Sequence, residues 1–182
     1  MVYILRRSLK IIKKGLWNWM RKIASEIRIW PDKILRKKCR KVENFFLARE
    51  IFDKMHRIIK ENDIKVLAAN QIGLDISCLI VKAENKVFYL VNPSLIKKEG
   101  QQIKKESCLS LPQLGLLEIK RARSVWVEYW DEKGERLCIE AEDDLASILQ
   151  HGMDHLQGKL FIDRVPLRRR LSLLKKSNYG MS

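Results

Sequence analysis

Two histidines four residues apart constrain this chain more than any other feature in it. They stand in Gln150-His151-Gly152-Met153-Asp154-His155-Leu156-Gln157-Gly158. Residues i and i+4 of a helix point the same way, so both imidazoles can converge on one cation. From Asp143 onward Leu145, Ile148, Leu149 and Leu156 recur beside them at helical spacing, and Gly158 is placed to end the helix. The pattern predicts a helix with a chelating pair on one side and core on the other. The bland alternative is a satisfied core pair, and the third histidine, His56, reads as a polar position on a different helix.

Two imidazoles leave a tetrahedral ion short of a protein ligand, and a catalytic site gives its last position to water. Cys108, in Glu106-Ser107-Cys108-Leu109-Ser110-Leu111-Pro112, is the candidate, because small and turn-forming neighbours can present a thiolate to a cleft. A free cysteine taken alone is more often a small buried hydrophobe. The four cysteines (Cys39, Cys78, Cys108, Cys138) show no CxxC pairing, and no secretory signal pattern is present. Free thiols in a reducing, cytoplasmic interior are therefore expected.

At 182 residues the chain has length for one domain with a real core. Helical spacing over Val42 to Asn62 passes through Phe46, Ile51, Met55, Ile58 and Ile59. Ile76 to Val81 and Val87 to Val91 read as strands, the second stopped by Asn92-Pro93. Ser124 to Trp130 alternates and turns through Asp131-Glu132-Lys133-Gly134 into Leu137 and Ile139, which is a hairpin. The expected class is α+β: one domain of antiparallel strands packed around a central metal-bearing helix.

The net charge of +15 is concentrated at the two ends. Residues 1 to 25 hold seven Lys/Arg and residues 164 to 182 hold six, with no acid in either, which leaves +2 for residues 26 to 163. Such ends attract ribosomal RNA or an anionic membrane face through a salt-sensitive term, or are simply solvated. Leu5, Leu9, Ile12, Leu16, Trp19 and Ile23 line one face of a basic amphipathic helix in the first segment. Lys and Arg interrupt it too often for a membrane span, so an interfacial helix, an organellar presequence and a helix packed on the body stay open. The expected division is an extension over 1–26, a domain over 27–176 and a tail over 177–182.

Three segments resemble one family in order and in spacing. "ESCLSLP" (106 to 112) is similar to the EGCLS segment of peptide deformylases, "QHGMDHLQGKLFID" (150 to 163) to their HExDH helix, and "VLAANQIG" (66 to 73) to their GxGxAAxQ segment. The resemblance runs from about Ile27 to near Lys176 and implies a compact α+β fold. It also implies one divalent metal, iron(II) or zinc, held by Cys108, His151 and His155, and no nucleotide cofactor. Gln71 and the backbone N–H of Leu109 map to the donors that hold the substrate carbonyl. The implied activity is removal of the formyl group from the N-formylmethionyl end of nascent chains.

The sequence departs from the family at the residue that handles protons. The family's acid–base glutamate falls on Gly152, the two glycines of GxGxAAxQ are Ile64 and Val66, and the glycine of EGCLS is Ser107. General acid–base catalysis contributes ~10²- to 10⁴-fold, so deformylation is expected to be absent or very low. The alternatives are an active peptide deformylase and a non-catalytic module associated with ribosome or membrane. Asp154 stands about 200° around the helix from Gly152 and is not expected to substitute, while Glu106 has no support as a replacement. Gly152 either sits in a helix stable enough to tolerate it or makes room for a bulkier neighbour or a ligand over the metal.

Overall fold

The computed structural model describes residues 26–84 and 86–176, so the expected helix of residues 1–25 and the tail of 177–182 lie outside the described residues. Helix α1 (Phe45–Asn62) starts after Asn44, whose Oδ1 accepts from the N–H of Phe46 at 3.0 Å. That cap moves the helix start three residues past Val42, and Val42 bonds elsewhere. The face carrying Phe52, Met55, Ile58 and Ile59 is buried.

Strand β1 (Val66–Ala68) leads into a short 3-10 turn, Ala69–Ile72, and then into β2 (Cys78–Ala83) and β3 (Lys86–Glu99). β4 (Gln102–Glu106) and β5 (Leu117–Arg121) form their own antiparallel pair, and β6 (Ser124–Trp130) and β7 (Arg136–Glu142) make the expected hairpin. The main sheet is antiparallel, in the order β1-β2-β3-β6-β7. Helix α2 (Asp143–Leu156) follows, and α3 (Leu167–Lys176) comes after a 3-10 turn over Phe161–Arg164. The α+β expectation is met, with a helix on each face of the sheet.

Strand alternation makes those two faces. Leu67, Ile80 and Val91 meet Phe52, Met55 and Ile59 of α1 in one cluster, while Ala68, Leu79, Val81 and Leu90 join Ala146, Leu149 and Leu156 of α2 in another. Burying each large side chain contributes about 1.5–3 kcal/mol. The helix that carries His151 and His155 is thereby pressed against β1 and β2.

Asn92-Pro93 does not stop β3 as expected. The strand runs through it, pairing with β2 as far as Val91 and with β6 from Val91 onward, with register shifts between Val91 and Ser94 and between Leu95 and Lys97. Asn92 takes φ 52°, and its side chain accepts from Val42 N at 2.9 Å and donates to Val42 O at 2.8 Å. A bulge is where proline is compatible with a strand, and here it turns one long strand from one partner to the next. His56 is also more than a lone polar position, since its Nδ1 lies 2.6 Å from the Tyr89 hydroxyl.

Asp163 ties the C-terminal end to the body. Its carboxylate accepts from Leu160 N at 2.9 Å and pairs with Arg36 and with Arg170. Burial pushes its pKa up, but the hydrogen bond from Arg36, the Leu160 N–H and the two arginine charges win and hold it below the ordinary value. A native pKa below the unfolded one means stability that is complete above about pH 4 and lost as pH falls further. Urea unfolding should find Asp163→Asn less stable than the parent at pH 7, with the gap closing toward pH 3. A gap constant across that range would mean that the charge of Asp163 contributes nothing.

Candidate metal centre

Helix α2 brings the two histidines to one place, as the spacing predicts. Their rings are 5.1 Å apart, and both are buried. Cys108 reaches them from the turn after β4, closed by a hydrogen bond from Leu111 N to Cys108 O at 3.0 Å. The Cys108 Sγ lies 3.2 Å from His155 Nε2, and the ligand atoms of Cys108, His151 and His155 all fall within 4.8 Å of one another. Among the described residues no other group of three such side chains gathers this way.

Charge in the centre favours a cation. Burial pushes the Cys108 thiol up, but the neighbouring His155 and hydrogen bonds from both histidines bring it well below the ordinary thiol value. Burial pulls His151 down, and its contacts with Cys108 and Glu106 outweigh that and raise it to about 9. Thiol and imidazole ligands bind a metal only without their protons, so a cation would compete with protons for Cys108 and His151. One soft thiolate with two imidazoles, leaving a fourth position open, is the donor set of a catalytic zinc or iron site. The residues fit the group that the sequence implies.

A buried network fixes the histidine nearest the cleft. Glu106 Oε2 lies 2.9 Å from His151 Nδ1, which leaves the Nε2 of that ring for a metal. Arg121 grips Glu106 with two bonds of 2.7 and 2.8 Å and reaches Asp154 at 2.5 Å, while Ser147 Oγ adds 3.0 Å to Glu106. Asp154 is also held by Arg164. Both carboxylates are committed to these partners, so neither Asp154 nor Glu106 is free to act as a base in the cleft.

Gln71 stands beside the thiolate. Its Oε1 accepts from Ala68 N at 3.0 Å, and its Nε2 donates to Ser110 Oγ at 3.2 Å and lies 3.9 Å from Cys108 Sγ. Gln71, Leu109, Cys108 and His151 all line one cleft of about 530 Å³, a size that suits a small ligand or a peptide end. The four expected site residues that carry a usable donor or ligand atom at the cleft are therefore together.

Gly152 faces away from open space. A Cβ built there would lie 2.3 Å from Leu79 Cδ1 and 2.8 Å from Val66 Cγ2. Leu79 is fully buried, and Val66 is a stiff β-branched residue. The neighbour for which Gly152 makes room is this pair, so Gly152 and Val66 form one packing solution. Gly158, by contrast, is required by its backbone, at φ +69° with a Cβ only 2.5 Å from the Arg36 carbonyl oxygen.

Sequence reasoning missed Arg121, Ser147 and Leu79. The signal for Arg121 was present: Leu117, Ile119 and Arg121 alternate onto one buried face of β5, and a cation on that face demands partners. No comparable signal marks Leu79, whose contact with Gly152 comes only from the packing of α2 on β2.

Comparisons with known proteins agree with this geometry. The family model described as polypeptide deformylase matches residues 24–170. A peptide deformylase of Pseudothermotoga lettingae is 36% identical over 160 residues, covering 85% of this chain and 90% of that protein. One from Thermus thermophilus is 35% identical over 166 residues, covering 82% and 86%. The crystal structure of a peptide deformylase from Thermus thermophilus superposes with a TM-score of 0.80 at 35% identity, over 85% of this chain and 93% of that one. The Synechococcus elongatus enzyme in complex with actinonin gives 0.78 at 30% identity, over 85% and 86%.

Proposed function

The chain belongs to the polypeptide deformylase family, and from that premise we propose that it hydrolyses the formyl group from N-formyl peptides at a Cys108/His151/His155 metal centre, slowly. The observation that carries this reading is the convergence of three ligand atoms within 4.8 Å beside a peptide-sized cleft. Relatives named peptide deformylase at 35–38% identity support an active enzyme better than they support a complete loss of activity.

One divalent ion, iron(II) or zinc, would polarise the substrate carbonyl and lower the pKa of the attacking water. The chain's own residues do the rest. Gln71 Nε2, positioned by its bond to Ser110, donates to the oxygen on which charge develops, and the Leu109 N–H is the second donor. Glu106 holds the His151 ring in place. Residue 152 has no side chain to move a proton, so the proton passes to cleft water and the step loses about 10²- to 10⁴-fold.

A second reading, binding of a peptide end without turnover, is favoured by the filled space at Gly152. Formate release from formyl-Met-Ala-Ser by anaerobically metal-loaded protein separates the two, with iron(II) and zinc loaded in parallel. Slow release that disappears in Cys108→Ala supports the hydrolase. No release although metal is bound assigns the second reading, and turnover above about one per second means that an unidentified group handles the proton. Action on nascent chains would place the protein in the cytoplasm beside the ribosome, with exposed arginines of α3 such as Arg168 and Arg169 as contacts to RNA. A ribosome pull-down over a salt series tests that contact.

A further inference from the structure

The wall of the cleft next to His151 is charged where an apolar side chain would need an apolar lining. On β4 the alternation turns Gln102, Lys104 and Glu106 inward and leaves Ile103 outward, 69% exposed. On α2 the residues that share the cleft face with His151 at helical spacing are Asp144, Ser147 and Ile148. Lys104 Nζ reaches over this recess to Asp144 Oδ1 at 2.5 Å, the lysine side chain 29% exposed and the aspartate 78%. Lys65, just before β1, lines the same recess and adds its charge to those that lower the Asp144 pKa.

Every acid of this cleft is already answered. Glu106 is held by Arg121 and His151, Asp63 pairs with Lys82 at 3.1 Å, and Asp144 pairs with Lys104. Lys65 and Lys105 also line the cleft, and neither forms a salt bridge with another described residue. A methionine side chain entering beside Lys104 and Asp144 would strip water from that pair, in exchange for contacts with Ile148, the lysine stems and the cleft's other apolar residues, Ile64, Val66 and Leu109. A carboxylate would replace that water with charge-assisted hydrogen bonds.

We infer that the recess beside His151 selects an N-formyl peptide whose first side chain is anionic, received by Lys104 and Lys65, over one that begins with methionine. The inference rests on the reading of the centre as a site for N-formyl peptide ends. It names a substrate class for that site which differs from a nascent chain.

The test is calorimetric titration of zinc-loaded full-length protein with formyl-Glu-Ala-Ser and with formyl-Met-Ala-Ser at low salt. The glutamyl peptide should bind at least about tenfold more tightly, and the preference should narrow in about 0.5 M NaCl as the charges are screened. Lys104→Ile combined with Asp144→Leu removes both members of the ion pair and should reverse the order. Should that variant fail to fold, Lys65→Glu, at an exposed position, should weaken the glutamyl peptide by a larger factor than the methionyl one. Tighter binding of the methionyl peptide by the unmodified protein, or no response to either variant, overturns the inference and leaves the hydrolase reading intact. Binding of neither peptide by zinc-loaded protein overturns the N-formyl-peptide reading itself.

Discussion

Arg121→Met should destabilise the protein by about 3–5 kcal/mol, because it leaves two buried carboxylates without their shared cation. The Arg121 side chain is 1% exposed, against 9% for Glu106 and 8% for Asp154. Methionine of similar length fills the space but answers neither charge. The effect extends to the centre, since Glu106 loses the two bonds that fix it under His151. Supporting partners of this kind are worth about 10- to 100-fold in metal affinity. Urea unfolding measures the first consequence and zinc competition against a chelator the second. A variant within about 1 kcal/mol of the parent would mean that the network orients His151 without stabilising the fold, and unchanged zinc affinity would mean the reverse.

Gly152→Glu alone should not restore fast deformylation, and it should lower stability. The new Cβ meets Leu79 and Val66 well inside contact distance, and overpacking of a dense core costs about 1–3 kcal/mol. Val66→Gly in the same chain vacates one wall and gives the Leu79 methyls somewhere to turn. The double variant should therefore recover formate release by about 10²- to 10⁴-fold, with a coupling between the two changes that neither single variant predicts. Equal gain from Gly152→Glu by itself would show that the space is not effectively filled. A double variant that binds metal and stays inert toward formyl-Met-Ala-Ser while hydrolysing formyl-Glu-Ala-Ser would join this result to the charged recess beside His151.

The parts of this protein that follow local rules were legible in the sequence. His151 and His155 converge because a helix repeats every 3.6 residues, and the Ser124–Trp130 hairpin alternates because a strand repeats every two. Asn92-Pro93 misled for the same reason. Its residue types carry a turn signal, and only the pairing of Asn92 with Val42, fifty positions away, converts that signal into a bulge within one strand. Glu106 carries no sequence signal of a role, because its commitment to Arg121, Ser147 and His151 depends on contacts between β4, β5 and α2.

Spacing along single elements and the order of motifs were enough to locate the candidate metal ligands, the glycine at position 152 and the α+β class. What surrounds that glycine was decided by packing in three dimensions. Leu79 and Val66 fill the space over Gly152, and Lys104 and Asp144 become the wall of the recess. Those outcomes depend on which side chains from distant strands share a volume, and close packing, unlike periodicity, has no signature along the chain.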